Sequence, residues 1–305
     1  MERLTVYIPR FISDELSYLM FMECLDNAVK YLKGFDVLFI VLCDNENKIT
    51  MLYDPQIMME YNIKFVKNEF KYIPDLAGYY YHYKYHPTEY MLQLFANVML
   101  SRDIDYDDVI TSVNEYGCYS LCYNYCFGNI FTQIYNWMRI LFPELNFYSD
   151  YLSVKEYDHD HVSAQANQMF TTYTNICKVK EKFTVTFNKL FNYDKLSFSM
   201  IPDESKHLFN EKDFNRQIRT VTEHFFTQLF FKTFNTPVDK IYPLSKSSAC
   251  MYGITFVNLW RFGYILTGNN KLYPTEEHFN KYLSIKNNSD LHKIFCKFCT
   301  GKIVN

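Results

Sequence analysis

Gly117–Phe142, GCYSLCYNYCFGNIFTQIYNWMRILF, is the most apolar helix-length stretch of the chain. Read at 3.6 residues per turn it is apolar nearly all round, which predicts a helix buried on most sides at the centre of the fold. Cys118, Cys122 and Cys126 recur at i, i+4 and i+8 and would share a stripe of that helix, with Tyr119 and Tyr123 on the next. Asn124, Asn129, Gln133, Asn136 and Arg139 interrupt the run too often for a membrane span.

Working outward toward the N-terminus, residues 1–12 read as an extended arm carrying Leu4, Val6, Ile8 and Phe11. Ser13 caps a predicted helix that Gly34 ends. Phe35–Cys43 (FDVLFIVLC) reads as a buried strand, and Ile49–Tyr53 as its partner in a hairpin across the turn Asp44–Lys48. Asp54–Tyr85 looks irregular, and the tyrosines around His82 and His86, with Pro87, argue against a continuous helix there. Pro87 starts a predicted helix to about Leu100, and Asp105 starts another to Tyr116.

Toward the C-terminus, Tyr148–His161 is a polar loop between two halves. Val162–Lys182 reads as a helix and Phe183–Phe187 (FTVTF) as a short strand. Asn210 caps an amphipathic helix with Phe214, Ile218, Val221, Phe225 and Leu229 on one face. Ser247–Leu266, Pro274–Leu283 and Asp290–Thr300 read as further helices. The expected class is therefore mainly α: a compact multi-helix fold around a buried central helix, with a small β-hairpin near the N-terminus. Its expected parts are an arm at 1–12, a helical half at 13–147, a second helical half at 148–289 and a C-terminal CxxC tail at 290–305.

A chain of 305 residues with 49% hydrophobic and 21% charged residues has the composition of a globular protein. A formal charge of -3 with mixed signs excludes the broad basic field of a dedicated nucleic-acid binder. The nearest basic cluster, Lys178–Lys182 (KVKEK), is short and broken by Glu181. There are 28 Tyr and 28 Phe against only 2 Trp. Tyrosine joins a large apolar ring to a polar tip, so this surplus suits large protein–protein contact areas. The nine cysteines cannot all pair within a single molecule. The N-terminal MERLTVYIPRF lacks the continuous apolar core of a signal peptide, so the expected protein is not secreted.

No GxGxxG, P-loop, GxSxG or HExxH pattern occurs. Cys296-Lys-Phe-Cys299 could be a redox pair, a crosslink to another molecule, or half of a metal site with His292 nearby. Cys250, after the small-residue run SKSSA, is an alternative crosslink donor. Cys118, Cys122 and Cys126 are candidates for burial as small apolar groups or for disulfides. His82 and His86 have the i, i+4 spacing of helical metal ligands, and Asp158–His161 (DHDH) has ligand residue types in a loop. None of these assigns a catalytic, cofactor-binding or metal-ligating residue.

Tyr79–Tyr90 (YYYHYKYHPTEY), the Cys118 segment and the Cys296–Cys299 tail together resemble the occlusion-body matrix proteins of large insect DNA viruses, the nudivirus polyhedrins above all. The resemblance implies a non-enzymatic protein without cofactors that assembles with itself into a crystalline lattice around virions. It further implies assembly inside infected cells, in the nucleus, with no nucleic-acid or membrane partner. Intermolecular disulfides at Cys296, Cys299 or Cys250 would lock such a lattice. Ionisation of Tyr79, Tyr80, Tyr81, Tyr83, Tyr85 and Tyr90 at alkaline pH would release it. Two alternatives from other classes are a viral FAD-type thiol oxidase using Cys296 and Cys299, and a soluble helical protein that contacts virion or host factors.

Overall fold

The computed structural model describes residues 3–10, 21–43 except 22, 23, 26 and 27, 61–95 except 71 and 72, 98–100, 104–145 except 122, 160–164, 168–191, 196–237 and 253–255. Its organising element is strand β1 (Arg3–Arg10). Leu4, Thr5, Val6 and Ile8 are fully buried and Tyr7 is 1% exposed. Burial on both faces is the signature of an inner strand in a sheet covered on two sides.

Strands β2 (Asp36–Cys43), β3 (Ile63–Lys67), β4 (Tyr90–Gln93), β6 (Cys118–Ser120) and β9 (Met169–Thr172) complete a six-stranded sheet of order β3-β2-β1-β4-β9-β6. β1 pairs parallel to β2 and to β4, and β2 parallel to β3. β9 runs antiparallel to both β4 and β6. Two small antiparallel pairs join β5 (Val98–Leu100) to β10 (Gly253–Thr255) and β7 (Tyr123–Phe127) to β8 (Asp160–Ala164).

Helices cover both faces. On one, Tyr7, Leu42, Met91, Cys118 and Met169 meet α1 (Ala77–Tyr85), α3 (Gly128–Leu141), α4 (Tyr173–Lys182), α5 (Thr184–Phe191) and α6 (Phe214–Phe234). On the other, Leu4, Val6, Ile8, Phe39, Val41, Leu92 and Phe170 meet Phe21, Leu25 and Ala28 of a preceding helical segment, and Val109 and Val113 of α2 (Tyr106–Tyr116). Alternate residues of each strand thus feed opposite cores, as the pleat requires.

The architecture is α/β with a mixed sheet, which corrects the expected mainly α class. The expected hairpin at Phe35–Tyr53 is corrected too. Asp36–Cys43 is a strand, but both of its sides are taken by parallel neighbours, β1 and β3. Ile49–Tyr53 lies outside the described residues. The expected central helix also breaks up. Gly117 adopts φ 81°, ends α2 and donates its N–H to Val113 O at 3.1 Å. Cys118–Ser120 then enters the sheet, Tyr123–Phe127 forms a second strand, and only Gly128–Leu141 is helical. Cys118 and Cys126 sit in different strands and share no helical stripe.

Three more expectations change in the same direction. Pro87 follows the left-handed cap His86, so it comes after a helix, α1, rather than starting one, and Tyr90–Gln93 is a strand. Val162–Lys182 divides into strand residues and α4. Thr184–Phe191 is a helix, because Phe183, Phe187 and Leu190 fall on a single helical face and are all buried. Residues 1–12, expected as an arm, contain the sheet's inner strand β1.

Candidate active site at the carboxyl ends of β1 and β4

The winding of the sheet locates a crevice. From β1 the chain steps outward through β2 and β3, then returns to lay β4 against the free side of β1. The strand order therefore reverses between β1 and β4. Ligands in open α/β sheets bind at such a switch point.

Three side chains gather at this end. The turn Pro74–Leu76 carries Asp75, and α6 carries Arg219 and Glu223 one helical turn apart. Gln93, the last residue of β4, ties the turn down: its amide Nε2 donates to Asp75 O at 2.5 Å, and its Oε1 accepts from Gly78 N at 2.9 Å. A glycine is needed at the second residue of α1 because a Cβ at Gly78 would lie 2.7 Å from both Tyr7 Cβ and Gln93 Oε1. That close approach draws α1 and its preceding turn onto the β1–β4 junction.

Arg219 Nε donates to Asp75 Oδ2 at 3.3 Å. The Asp75 side chain is only 7% exposed, whereas that of Arg219 is 44% exposed, so the guanidinium reaches from a buried carboxylate toward solvent. Burial first, then the neighbouring Asp75, push the half-buried Glu223 up to about 8, against the opposing pull of Arg219. Gln168, 2% exposed, immediately precedes β9. Its Oε1 has no hydrogen-bond partner among the described residues.

A second polar array underlies α1 and holds it in place. Tyr7 OH lies 3.3 Å from His82 Nδ1, and His82 Nε2 lies 3.3 Å from Glu89 O. A carbonyl only accepts, so Nε2 carries the proton and Nδ1 accepts from Tyr7. Burial drives His82 down to about 3 and raises Tyr7 well above the usual phenol range. Thr5 Oγ1 and Thr88 Oγ1 meet at 2.8 Å beside it.

Of the residues singled out from sequence, Tyr79, Tyr80, Tyr81, Tyr83 and Tyr85 lie on α1 and Tyr90 in β4. Tyr79 and Tyr81 are buried, and Tyr85 is exposed. Burial raises Tyr79 and Tyr81 above the usual phenol range. His82 and His86 share α1 and its cap, yet His82 is turned inward on Tyr7 while His86 stacks on Tyr173 at 3.7 Å. Cys118 is a buried free thiol, raised by burial. The side chain of Cys126 and all of Cys122, Cys250, Cys296 and Cys299 lie outside the described residues, as does Asp158-His159. Among the described residues no group of three or more His, Cys, Asp and Glu could hold a metal ion, and no helix is long and apolar enough to cross a membrane. Asp75, Gln93, Arg219 and Glu223 were not singled out from sequence. The spacing of Arg219 and Glu223 on a helical pattern was the only local signal they gave.

No family model matches the chain, and no curated protein matches it. Solved structures do. One is TarS of S. aureus, at 15% identity and TM-score 0.29, over 39% of this chain and 21% of that one. Another is the mannosyltransferase Ktr4p of S. cerevisiae, at 13% identity and TM-score 0.35, over 70% of this chain and 67% of that one. A third is core-mannan synthase A of Aspergillus fumigatus in its Mn/GDP form, at 10% identity and TM-score 0.37, over 73% of this chain and 70% of that one. The chain spans about a fifth of the length of TarS in that match. At these TM-scores the likeness assigns neither reaction nor substrate.

The polyhedrin resemblance does not survive these findings. It was tied to a mainly helical chain, whereas the chain folds around a six-stranded mixed sheet. The expectations of a lattice-forming matrix protein, of a thiol oxidase and of a chain without an enzymatic site are withdrawn with it.

Proposed function

We propose that the crevice at the carboxyl ends of β1 and β4 binds a nucleotide-linked substrate, and that the chain is a group-transfer enzyme of the glycosyltransferase type. The observation that carries this reading is the convergence of Asp75, Arg219 and Glu223 on the switch point of a sheet covered by helices on both faces. A partly exposed arginine is the side chain best suited to grip a diphosphate, since its planar fork donates two parallel hydrogen bonds. A carboxyl raised toward neutrality is suited to exchanging a proton with a reacting hydroxyl.

Glycosyl transfer is the reaction to test first because Ktr4p, to which the chain is similar, is a mannosyltransferase. The crevice reading stands on the sheet winding and the three side chains without it. The described residues do not fit a divalent cation, since Asp75 is already ion-paired with Arg219 and no ligand group of three surrounds it. No step is routed through a metal.

Thermal denaturation of the purified chain with UDP, GDP, UDP-glucose and GDP-mannose tests the proposal. A ligand at about a hundred times its Kd should add about 2.7 kcal/mol, which raises Tm by several degrees in a domain of this size. Arg219→Ala should abolish the rise. A native chain whose Tm responds to none of the four, at millimolar concentration, contradicts the reading.

A further inference from the structure

We propose that Asp75 and Gln93 are positioning residues, which together hold the Arg219 guanidinium ready for the phosphates of an anionic ligand. The inference rests on the crevice reading above and adds to it a claim about how the arginine is presented. A solvated arginine side chain samples many rotamers, and a ligand that captures it must fix them. Here part of that ordering is done before any ligand arrives.

Three hydrogen bonds run in series to the arginine. Gly78 N donates to Gln93 Oε1 at 2.9 Å, Gln93 Nε2 donates to Asp75 O at 2.5 Å, and Arg219 Nε donates to Asp75 Oδ2 at 3.3 Å. Gln93 is fully buried and Asp75 is 5% exposed, so both are confined by close packing. Of the three side chains only Arg219 reaches solvent, with 44% of it exposed. The hold falls on Nε, the nitrogen nearest the aliphatic stem. The two terminal nitrogens therefore lie farther out, where their planar fork can meet two phosphate oxygens. Gly78 belongs to α1, Gln93 to β4 and Arg219 to α6, so one run of bonds ties the guanidinium to a strand of the switch point.

An ion pair with a buried carboxylate has a plainer explanation, in which Arg219 offsets the charge of Asp75 and does no more. The two accounts part over a pair of variants that both remove that charge. Asp75→Asn keeps an oxygen that can accept from Arg219 Nε, and Asp75→Leu, of similar shape, does not.

The test is the affinity of native chain, Asp75→Asn and Asp75→Leu for GDP, UDP and inorganic pyrophosphate, measured by calorimetry. Asp75→Leu should bind at least about tenfold more weakly than Asp75→Asn, the order lost when a charge-assisted phosphate contact is misplaced. Equal affinities in the two variants overturn the proposal. Gln93→Met removes both bonds to the turn and should also weaken binding, and a folded Gln93→Met with native affinity overturns the part assigned to Gln93.

Pyrophosphate separates this claim from the crevice reading. If pyrophosphate binds with the expected difference between the Asp75 variants while neither nucleotide binds, the positioning stands and the nucleotide reading falls. If none of the three binds the native chain, both fall. Should Asp75→Leu fail to fold, NMR of the 15N-arginine-labelled native chain follows the Arg219 Nε–H proton, assigned by its loss in Arg219→Lys. Slow exchange of that proton with water in the ligand-free protein supports the hold, and exchange as fast as in the amino acid overturns it.

Discussion

His82 is held neutral because both its ring nitrogens are used inside the fold, Nδ1 by Tyr7 OH and Nε2 by Glu89 O, with no room for a second proton. Its folded pKa of about 3 lies below the unfolded value of about 6.5. The unfolded chain therefore binds the extra proton first as pH falls. His82 contributes its full stability above about pH 6.5, and that contribution drains away toward pH 3 at up to about 1.4 kcal/mol per pH unit. Between pH 7 and pH 4 the loss should reach about 3 kcal/mol. His82→Gln keeps an acceptor and a donor without titrating. We expect it to cost about 1 kcal/mol at pH 7 and to flatten the acid limb of urea denaturation measured from pH 7 to 4. An unchanged acid limb would show that the loss arises elsewhere.

At the scale of elements, what was legible in the sequence is what repeats with a single period. The face Phe214, Ile218, Val221, Phe225 and Leu229 gave α6, and all five residues are buried. Asp105 announced α2, and its carboxylate accepts from Asp108 N at 3.1 Å. The run FDVLFIVLC gave β2 but not its neighbours, since a strand buried on both faces has no alternation to show its pairing. Gly117–Phe142 misled because two strands and a helix follow one another there with apolar residues running on across their junctions. Gly117 was the missed signal. Its positive φ ends α2, and Asn175 Nδ2 then donates to Val113 O at 2.9 Å and Gly117 O at 3.0 Å, satisfying the buried carbonyls of that end. A Cβ on Gly117 would also lie 2.2 Å from the Phe234 ring at the end of α6. Gly117→Ala should cost about 2–4 kcal/mol, the sum of left-handed strain and overpacking. Chemical denaturation measures it, and a loss under about 0.5 kcal/mol would mean that α6 ends freely enough to move aside.

For the whole molecule, the candidate site was illegible for a physical reason. Asp75, Gln93, Arg219 and Glu223 come from a turn, a strand end and a distant helix, and they meet only because the sheet winds both ways from β1. No local spacing encodes such a meeting. The same winding sets a problem of timing during synthesis. Leu4–Pro9 emerges from the ribosome long before Tyr90–Gln93, the strand that covers its second edge. Until then LTVYIP is an apolar, β-prone ribbon with an open edge, the kind of segment that recruits other chains. A nascent chain stopped at Glu89 should therefore pellet in a cell-free translation, while one extended through Asn235, past α6, should stay in the supernatant. A soluble, monomeric 1–89 fragment would contradict this. Expression of this protein would then depend less on its final stability than on whatever shelters the first strand while the chain is still being made.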